Sequence, residues 1–446
     1  MTSDVQPAQG RIGARSLVIR SLLVLALPLS FRTFQFFPGM LYIQEGWFVL
    51  CCVFVIFVYP FWKLRNGLRF SRFELYLLLL ITASISVAAW QAQTVFGQPL
   101  AYGLLSQRAL VLIAGWLIFA DLLRAGIIEP EDIEASLLFL AWSTFLLFIA
   151  IRLLFSPMDF LEYGEGLVTQ PAIGIEPSFK LQEFFILFGV FYYAARGIRS
   201  GRARYYLAAL ILFPAALGGS GRGIAISAII VFVFILFRLR GLLRGIVALT
   251  QFAFLTGMLF ASSYALFPLV ISARLKGFMD AFAAVVPGTV SQDVSANARI
   301  FEALTSIPYI LAHPLIGNGI VSNQWDGGSQ AAVGAYFFVA DIGVVGILFS
   351  FGVFGLLLYL WQYRIAWIAS KRLSDSAHGP LLDATKAFLL YSAVYSLESG
   401  ICVWNADATL FFVALIYGIS IRQMRADTAY AQTGGACVPQ LPALSV

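Results

Sequence analysis

Long apolar runs with no polar face constrain this chain more than any other feature of its sequence. The stretches 47–62, 207–217 and 223–237 are apolar around the full circumference of a helix, so they do not fit amphipathic helices that cover a soluble core. In a bilayer every peptide N–H and C=O has to be satisfied inside the protein, and runs of this length favour helices over barrel strands. The sequence therefore predicts an all-α polytopic membrane protein.

Composition agrees with this class and excludes several others. Hydrophobic residues make up 60% of the chain and charged residues only 12%, against about a quarter charged in soluble domains. The four cysteines suggest no disulfide framework, and the two histidines are too far apart to form a metal-binding motif. No phosphate-binding loop is present, so we expect no cofactor, neither ATP nor a metal. The basic excess lies in short loops, and we expect no nucleic-acid partner.

The hydrophobic pattern predicts a single membrane domain, residues 1–446, with about 12 transmembrane helices. No internal repeat or second domain interrupts it. The expected spans are 17–36, 46–62, 73–91, 104–121, 135–155, 183–196, 205–218, 222–237, 243–268, 333–360, 385–403 and 407–421.

The distribution of basic residues predicts the orientation of these spans. An even number of spans returns the C-terminus to the side of the N-terminus, and most of the 29 Lys and Arg residues lie in the connections on that side. The positive-inside rule then places both termini in the cytoplasm. The first apolar stretch contains Arg20 and Arg32 and ends without a cleavage site, so we interpret it as a retained span rather than a signal peptide.

A minority of basic residues contradicts that rule. Arg and Lys near span ends can extend toward lipid headgroups, which accounts for some of them. The alternative is an anionic ligand bound at the outer face. These outer residues are Arg32, Arg108, Arg152, Lys180, Arg222, Arg274, Lys276 and Arg299.

Two outer connections are long enough to form structure of their own. The smaller loop, 156–182, is acidic and rich in Gly and Pro, and the larger loop, 271–332, separates spans nine and ten. Loops of this length are commonly functional. In the larger loop, residues 296–312 are expected to be helical, with Ile300, Leu304 and Ile307 on one face, and the glycines from 317 to 328 are expected to form turns.

Arg222 stands among glycines at the outer end of two short apolar helices, in the sequence Gly218-Gly219-Ser220-Gly221-Arg222-Gly223. Glycines allow a backbone to approach a ligand closely, and a guanidinium offers a planar set of donors suited to phosphate oxygens. A Gly-rich hairpin whose arginine reaches toward lipid headgroups is the structural alternative.

Several short motifs together resemble the O-antigen ligase and Wzy-type polymerase superfamily. They are the Ser220-Gly221-Arg222-Gly223 element, Asn297-Ala298-Arg299, the turn His313-Pro314-Leu315-Ile316-Gly317-Asn318-Gly319, and Asp341-Ile342-Gly343-Val344-Val345-Gly346. Their order, spacing and predicted membrane side all agree with that family, over roughly residues 164–363.

This resemblance implies a metal-independent glycosyltransferase with a GT-C-like fold in the bacterial inner membrane. Its implied substrate is an undecaprenyl-diphosphate-linked oligosaccharide, handled on the periplasmic side. Membrane lipids, a flippase and chain-length regulator proteins are the further partners that the family implies. The expected activity is polymerisation of lipid-linked repeat units of an O-antigen or exopolysaccharide.

The resemblance also implies roles for individual residues. Arg222 and Arg299 match the family arginines expected to hold the lipid diphosphate, and Lys180 is a further candidate for the same anion. His313 lies in the turn motif, where a role in ordering the loop is favoured over catalysis. Asp341 matches an acidic position at a helix start, where a carboxylate can also be a capping charge.

One departure from the family pattern concerns the catalytic base. Ligases of the family usually carry a His-Asn pair about nine residues before the acidic position, and Ala332-Val333 stands there instead. A carboxylate would then have to accept the proton of the acceptor hydroxyl. The outer-side candidates are Asp326, Asp341, Glu302 and Glu176.

Glu398 is the remaining acidic candidate, predicted to lie near the outer end of span eleven. An intramembrane carboxylate is a functional candidate by default. The alternative, which we favour, is a structural partner for one of the outer arginines.

Two other functions remain open at this stage. A ligase would transfer the finished glycan to another acceptor, although the missing histidine disfavours it. A lipid-glycan flippase or secondary transporter would also have many spans, but such proteins are commonly built from repeated halves with broken helices, and no repeated halves are visible in the sequence.

Overall fold

The computed structural model describes residues 13–34, 39–65, 70–158, 184–220, 222–266, 268, 272, 294–334, 337–373 and 378–432. Of the described residues, 86% are helical and none forms a strand. This is the architecture expected of an all-α membrane protein.

The first half of the chain folds as a series of eleven helices within the described residues. The helix α2 passes through a π-helical turn, Phe54–Val58, into α3, and a 3₁₀ turn, Arg108–Ala114, joins α5 to α6. The helices are α1 (Ala14–Ser30), α2 (Met40–Val53), α3 (Tyr59–Arg65), α4 (Arg72–Phe96), α5 (Leu100–Ser106), α6 (Gly115–Arg124), α7 (Pro130–Leu154), α8 (Phe184–Ser200), α9 (Ala203–Ser220), α10 (Arg222–Arg240) and α11 (Leu242–Leu266).

The second half contains the remaining helices and the described part of the larger loop. A 3₁₀ turn, Val339–Ile342, leads directly into the long helix α14. The helices are α12 (Val294–Ala312), α13 (Gly328–Ala332), α14 (Gly343–Ser370), α15 (Gly379–Ser399), α16 (Ile401–Trp404) and α17 (Ala406–Gln432).

Six helices in the described part of the chain are long and apolar enough to cross a membrane: Tyr42–Arg65, Arg72–Phe96, Pro130–Leu154, Gly223–Arg240, Val339–Ser370 and Ala406–Thr428. A seventh is added if the pair Leu100–Ser106 and Leu110–Arg124, bent by 50°, counts as one span. Each predicted span overlaps a helix, but α1 and α8 have only 17 residues. The all-α class is therefore confirmed, whereas the count of about 12 spans is not.

The centre of the bundle is formed by α8 and α17. Almost every side chain of Phe184–Tyr192 and of Leu410–Ile416 is buried. Aromatic rings join these helices, with Phe188 stacked on Phe412 at a centroid distance of 5.5 Å. In contrast, Leu64 and Leu243 are 76% and 80% exposed, and such outward apolar side chains are expected where lipid is the solvent.

Ion pairs mark two opposite ends of the bundle. At one end the buried Lys63 ammonium lies 2.9 Å from Asp121 and also contacts Glu74. The helix ends there are those that the charge pattern assigns to the cytoplasm, and the pairs Arg20–Asp132, Arg199–Asp383 and Arg422–Glu129 belong to the same end. The opposite end holds the pairs Arg32–Asp407, Arg108–Glu45 and Arg299–Glu398.

The helix α14 is interrupted at Gly352, whose φ of +63° and ψ of −167° no helical residue adopts. Such a break leaves backbone groups without their usual partners, which is costly away from water. A segment of the larger loop, residues 313–319, supplies the missing partners, and we name it the inserted turn. Val353 N–H donates to the Pro314 carbonyl at 2.9 Å, and Asn318 N–H donates to the Phe349 carbonyl at 2.8 Å.

The inserted turn is also fixed from the side of α4. Gly319 lies against Ala88 and Ala92, where an added Cβ would overlap their backbone. Just after the turn, the Gln98 side chain donates to the Ile320 carbonyl at 3.3 Å and accepts from Ser322 N–H at 2.7 Å. The predicted turn glycines Gly317, Gly319, Gly327 and Gly328 all have positive φ. The turn prediction is therefore confirmed. In addition, the inserted turn lies within the helical bundle, in contact with α4 and α14.

Candidate functional site

The predicted helix of the larger loop is confirmed as α12, but it is oriented differently from a helix on a soluble core. Ile300, Leu304 and Ile307, the predicted apolar face, are 42%, 60% and 44% exposed. The opposite face packs against α14 and the 3₁₀ turn Val339–Ile342, and it buries Glu302 and Ser306. This orientation carries Arg299 and Glu302 toward the start of α14 and the end of α15.

Arg299 forms an ion pair with Glu398, the second-last residue of α15. The pair joins Nη1 to Oε1, and both side chains remain about 40% exposed, 39% for Arg299 and 41% for Glu398. The Nε atom of Arg299 is buried without a hydrogen-bond partner. Because Nε is enclosed, an added anion would reach the guanidinium through the exposed part of the side chain. The prediction that Glu398 pairs with an outer arginine is confirmed.

The Glu398 carboxylate also lies against the first turn of α10. A Cβ added to Gly223 would stand 2.5 Å from Glu398 Cδ and would overlap its oxygens. Only glycine permits this approach. The backbone of Arg222 immediately precedes this contact, so the two arginine positions predicted to hold one anion flank the same carboxylate.

A second glycine brings the start of α14 to the same place. Gly343 has a φ of +54°, and a Cβ on it would stand 2.7 Å from the backbone carbon of Glu398. Asp341, two residues earlier, is exposed. Burial lowers the pKa of the Arg299 guanidinium, but Glu398 and, after it, the Asp341 charge raise that pKa above its ordinary value.

Glu302 lies on α12 one turn after Arg299 and is only 3% exposed. Its Oε2 atom is buried without a hydrogen-bond partner. Burial, followed by the Asp341 charge, raises the pKa of Glu302 to about 7, although Phe338 N–H and Arg299 act in the opposite direction. Glu302 is thus a carboxyl group that exchanges its proton near neutral pH.

The other predicted site residues either have no described contact with Arg299 or lie outside the residues that the structure describes. His313 is half-buried at the start of the inserted turn, where its backbone carbonyl accepts from Gly317 N–H at 3.0 Å. This bond does not involve the imidazole, so the loop-ordering role of the side chain stays a prediction. Asp326 is exposed in a later turn with a φ of +42°. None of the described hydrogen bonds or ion pairs joins either residue to Arg299. Lys180, Glu176 and the side chain of Arg222 lie outside what the structure describes.

The arrangement therefore combines one arginine with three carboxyl groups, of which one has a pKa near neutrality. A partly exposed guanidinium can bind an anion, and a carboxyl group with a pKa near 7 can accept a proton. Among the described residues, no group of three or more His, Cys, Asp or Glu could hold a metal ion.

Sequence reasoning identified Arg299, Glu302, Asp341 and Glu398 separately, but it gave no role to Gly343 and did not foresee the contact at Gly223. Gly343 does stand in the quoted motif, which was the available signal. Comparison with protein-family models and with curated proteins finds no match to this chain.

Proposed function

We propose that this protein is a polymerase that transfers a growing glycan from undecaprenyl diphosphate to an incoming lipid-linked repeat unit at the periplasmic face of the inner membrane. The observation that carries the proposal is the meeting of α10 and α12 at Glu398. This carboxylate contacts Gly223 next to Arg222 and pairs with Arg299. Both arginine positions resemble the family's diphosphate-binding residues. They are far apart in sequence, but both lie beside the Glu398 carboxylate.

The position of the Arg299–Glu398 pair in the bundle supports substrate binding on the side away from the cytoplasm. Arg299–Glu398 lies at the bundle end opposite the buried Lys63 cluster. The charge pattern assigns the Lys63 end to the cytoplasm, so the arginine pair would face the periplasm, and both termini would be cytoplasmic.

In the proposed reaction, the hydroxyl oxygen of the acceptor sugar attacks the anomeric carbon of the donor glycan. The bond from that carbon to the diphosphate oxygen breaks, and the diphosphate leaves with the bonding electron pair. Arg222 and Arg299 neutralise the charge that develops on the diphosphate, an effect that needs fixed donors and no metal.

The acceptor hydroxyl must also lose its proton. Asp341 and Glu302 interact electrostatically with each other and with Arg299, whereas Asp326 has no described contact to that group. We therefore assign proton acceptance to the Asp341 and Glu302 pair, with the exposed Asp341 facing the acceptor and the buried Glu302 behind it.

The proposal is tested in a strain that lacks the gene and carries variants of it. Arg222→Ala and Arg299→Ala should each reduce high-molecular-weight polysaccharide by on the order of 100-fold, because one fixed donor to a developing anion is typically worth that much. Arg108→Ala is the matched control, since Arg108 pairs with Glu45 at the same end and is 42% exposed. Normal polymer in both test variants, at equal membrane levels of protein, would contradict the proposal.

The same strain separates a polymerase from a ligase. Loss of a polymerase leaves single repeat units, whereas loss of a ligase leaves full-length glycan without its final acceptor. The proposal predicts single repeats.

Transport of a lipid-linked glycan is a second candidate, favoured by the break in α14 at Gly352. Broken helices bind substrates and ions in many transporters. Here, however, the backbone groups freed at the break are bonded to the inserted turn, which leaves fewer of them for a substrate. Elongation of glycan by purified protein without any gradient distinguishes the enzyme from the transporter.

A further inference from the structure

Arg299 already holds an anion in this structure, and that anion is part of the protein. Its partner Glu398 presents two carboxylate oxygens to the guanidinium and to the first turn of α10. Carboxylate and phosphate oxygens bind a guanidinium through the same planar donors. A lipid diphosphate on Arg299 would therefore compete with Glu398 for the same groups.

The negative charges near Arg299 make it unfavourable for Glu398 and a diphosphate to bind its guanidinium at the same time. Around Arg299 the described acidic side chains are Glu398, Asp341 and Glu302. A diphosphate added beside all of them would meet strong like-charge repulsion in a partly buried place, where solvent screening is weak. Removing the Glu398 carboxylate from the guanidinium both frees donors and reduces that repulsion.

We propose that Glu398 occupies Arg299 only in the unliganded protein, and that the diphosphate of the lipid-linked glycan displaces it. Glu398 is then a positioning residue that keeps the arginine in place between turnovers and leaves it when substrate binds. This inference rests on the proposed function, because it takes the diphosphate lipid as the displacing anion.

Two substitutions disturb the Glu398 carboxylate in different ways. Glu398→Gln removes its charge and keeps its shape. Gly223→Ala keeps the charge but adds a Cβ where the carboxylate lies, 2.5 Å from Cδ, and so pushes the carboxylate away from α10. Because Gly223 has an ordinary helical position, alanine is compatible with the backbone there.

The test measures binding of undecaprenyl diphosphate to purified protein in nanodiscs, with inorganic pyrophosphate as the comparison that lacks the lipid. Displacement predicts that Glu398→Gln binds the diphosphate lipid roughly tenfold more tightly than the unmodified protein, which corresponds to removal of one competing ion pair. Gly223→Ala should also bind more tightly. Glu45→Gln is the matched control, because Glu45 pairs with Arg108 at the same end with 43% exposure, and it should leave binding unchanged.

Weaker or unchanged binding in Glu398→Gln would overturn the displacement and indicate a purely structural ion pair. Steady-state elongation gives a second readout, since displacement predicts a lower KM for the lipid donor in Glu398→Gln. Arg299→Ala separates this inference from the proposed function. If Arg299→Ala does not weaken diphosphate binding, the proposed function fails; if it does and Glu398→Gln does not tighten binding, only the displacement fails.

Discussion

Asn318 binds the Phe349 carbonyl twice, through its backbone N–H at 2.8 Å and through its side-chain amide at 3.0 Å. The same amide donates to the Tyr309 carbonyl at 3.2 Å. Asn318 is fully buried, so these bonds join α12, the inserted turn and the broken helix α14 without competition from water. Arg299 and Glu302, which lie on α12, are therefore positioned in part by a polar contact deep in the bundle.

Asn318→Ala should lower stability by about 2 to 4 kcal/mol, because it removes two buried side-chain hydrogen bonds, to the Tyr309 and Phe349 carbonyls, and opens a small cavity. The thermal unfolding of detergent-solubilised protein measures the loss. Asn323→Ala is the control in the same loop, since Asn323 follows the inserted turn and is exposed. Equal melting temperatures for the two variants would show that the inserted turn does not depend on this amide.

Gly352→Ala should destabilise the protein by more than about 2 kcal/mol. The residue has a φ of +63°, and a Cβ would overlap the Leu315 backbone and stand 2.6 Å from Gly317 N. Gly257→Ala is the matched control, because Gly257 lies inside α11 with open space around it, and alanine there should be neutral or slightly stabilising. A tolerated alanine at Gly352 would contradict the interrupted helix.

The break in α14 at Gly352 is a part of the fold that the surrounding sequence does not predict. The helices could be predicted along the chain because the apolar character of each run is visible in its own residues. The segment Phe349-Ser350-Phe351-Gly352-Val353 is as apolar as its neighbours, so nothing local marks an interruption. Its cause is the distant inserted turn, whose backbone bonds replace those of the helix.

The candidate site was predictable to a similar degree. The residue types and motif positions selected Arg299, Glu302, Asp341 and Glu398, and the favoured role of Glu398 as an arginine partner is confirmed. The approach of Gly223 to Glu398 could not be predicted, because it depends on how α10, α12 and α15 pack together. Length and hydropathy did not settle the number of spans, since short helices such as α8 are buried within the described part of the protein and fail a test of span length.

Glu302→Gln should change how stability depends on pH. The pKa of Glu302 is raised from 4.5 to about 7, so the fold favours the protonated form, and this contribution is complete below pH 4.5 and lost as the pH rises through 7. Glutamine cannot ionise, so the variant should gain about 2 to 3 kcal/mol relative to the unmodified protein between pH 5 and pH 8. Melting temperatures across this range measure the difference, with Asp326→Asn as the exposed control. A difference that stays constant with pH would show that Glu302 does not titrate there.

The sidedness of the arginine pair is measurable with single cysteines. After replacement of Cys51, Cys52, Cys402 and Cys437, Asn323→Cys would report on the end that holds Arg299 and Ser200→Cys on the opposite end. Both positions are exposed. A maleimide that cannot cross the inner membrane should label position 323 in intact cells and position 200 only after permeabilisation. The reverse pattern would place Arg222 and Arg299 in the cytoplasm and contradict the proposed function.

The most direct test is elongation by the purified protein. The protein is reconstituted in liposomes with lipid-linked repeat units isolated from the deletion strain, without an ion gradient or nucleotide, and the products are separated by size. We predict a ladder of longer lipid-linked glycans that is lost in Arg299→Ala and retained in Arg108→Ala. Repeat units that stay single, or that only cross the bilayer unchanged, would contradict a polymerase.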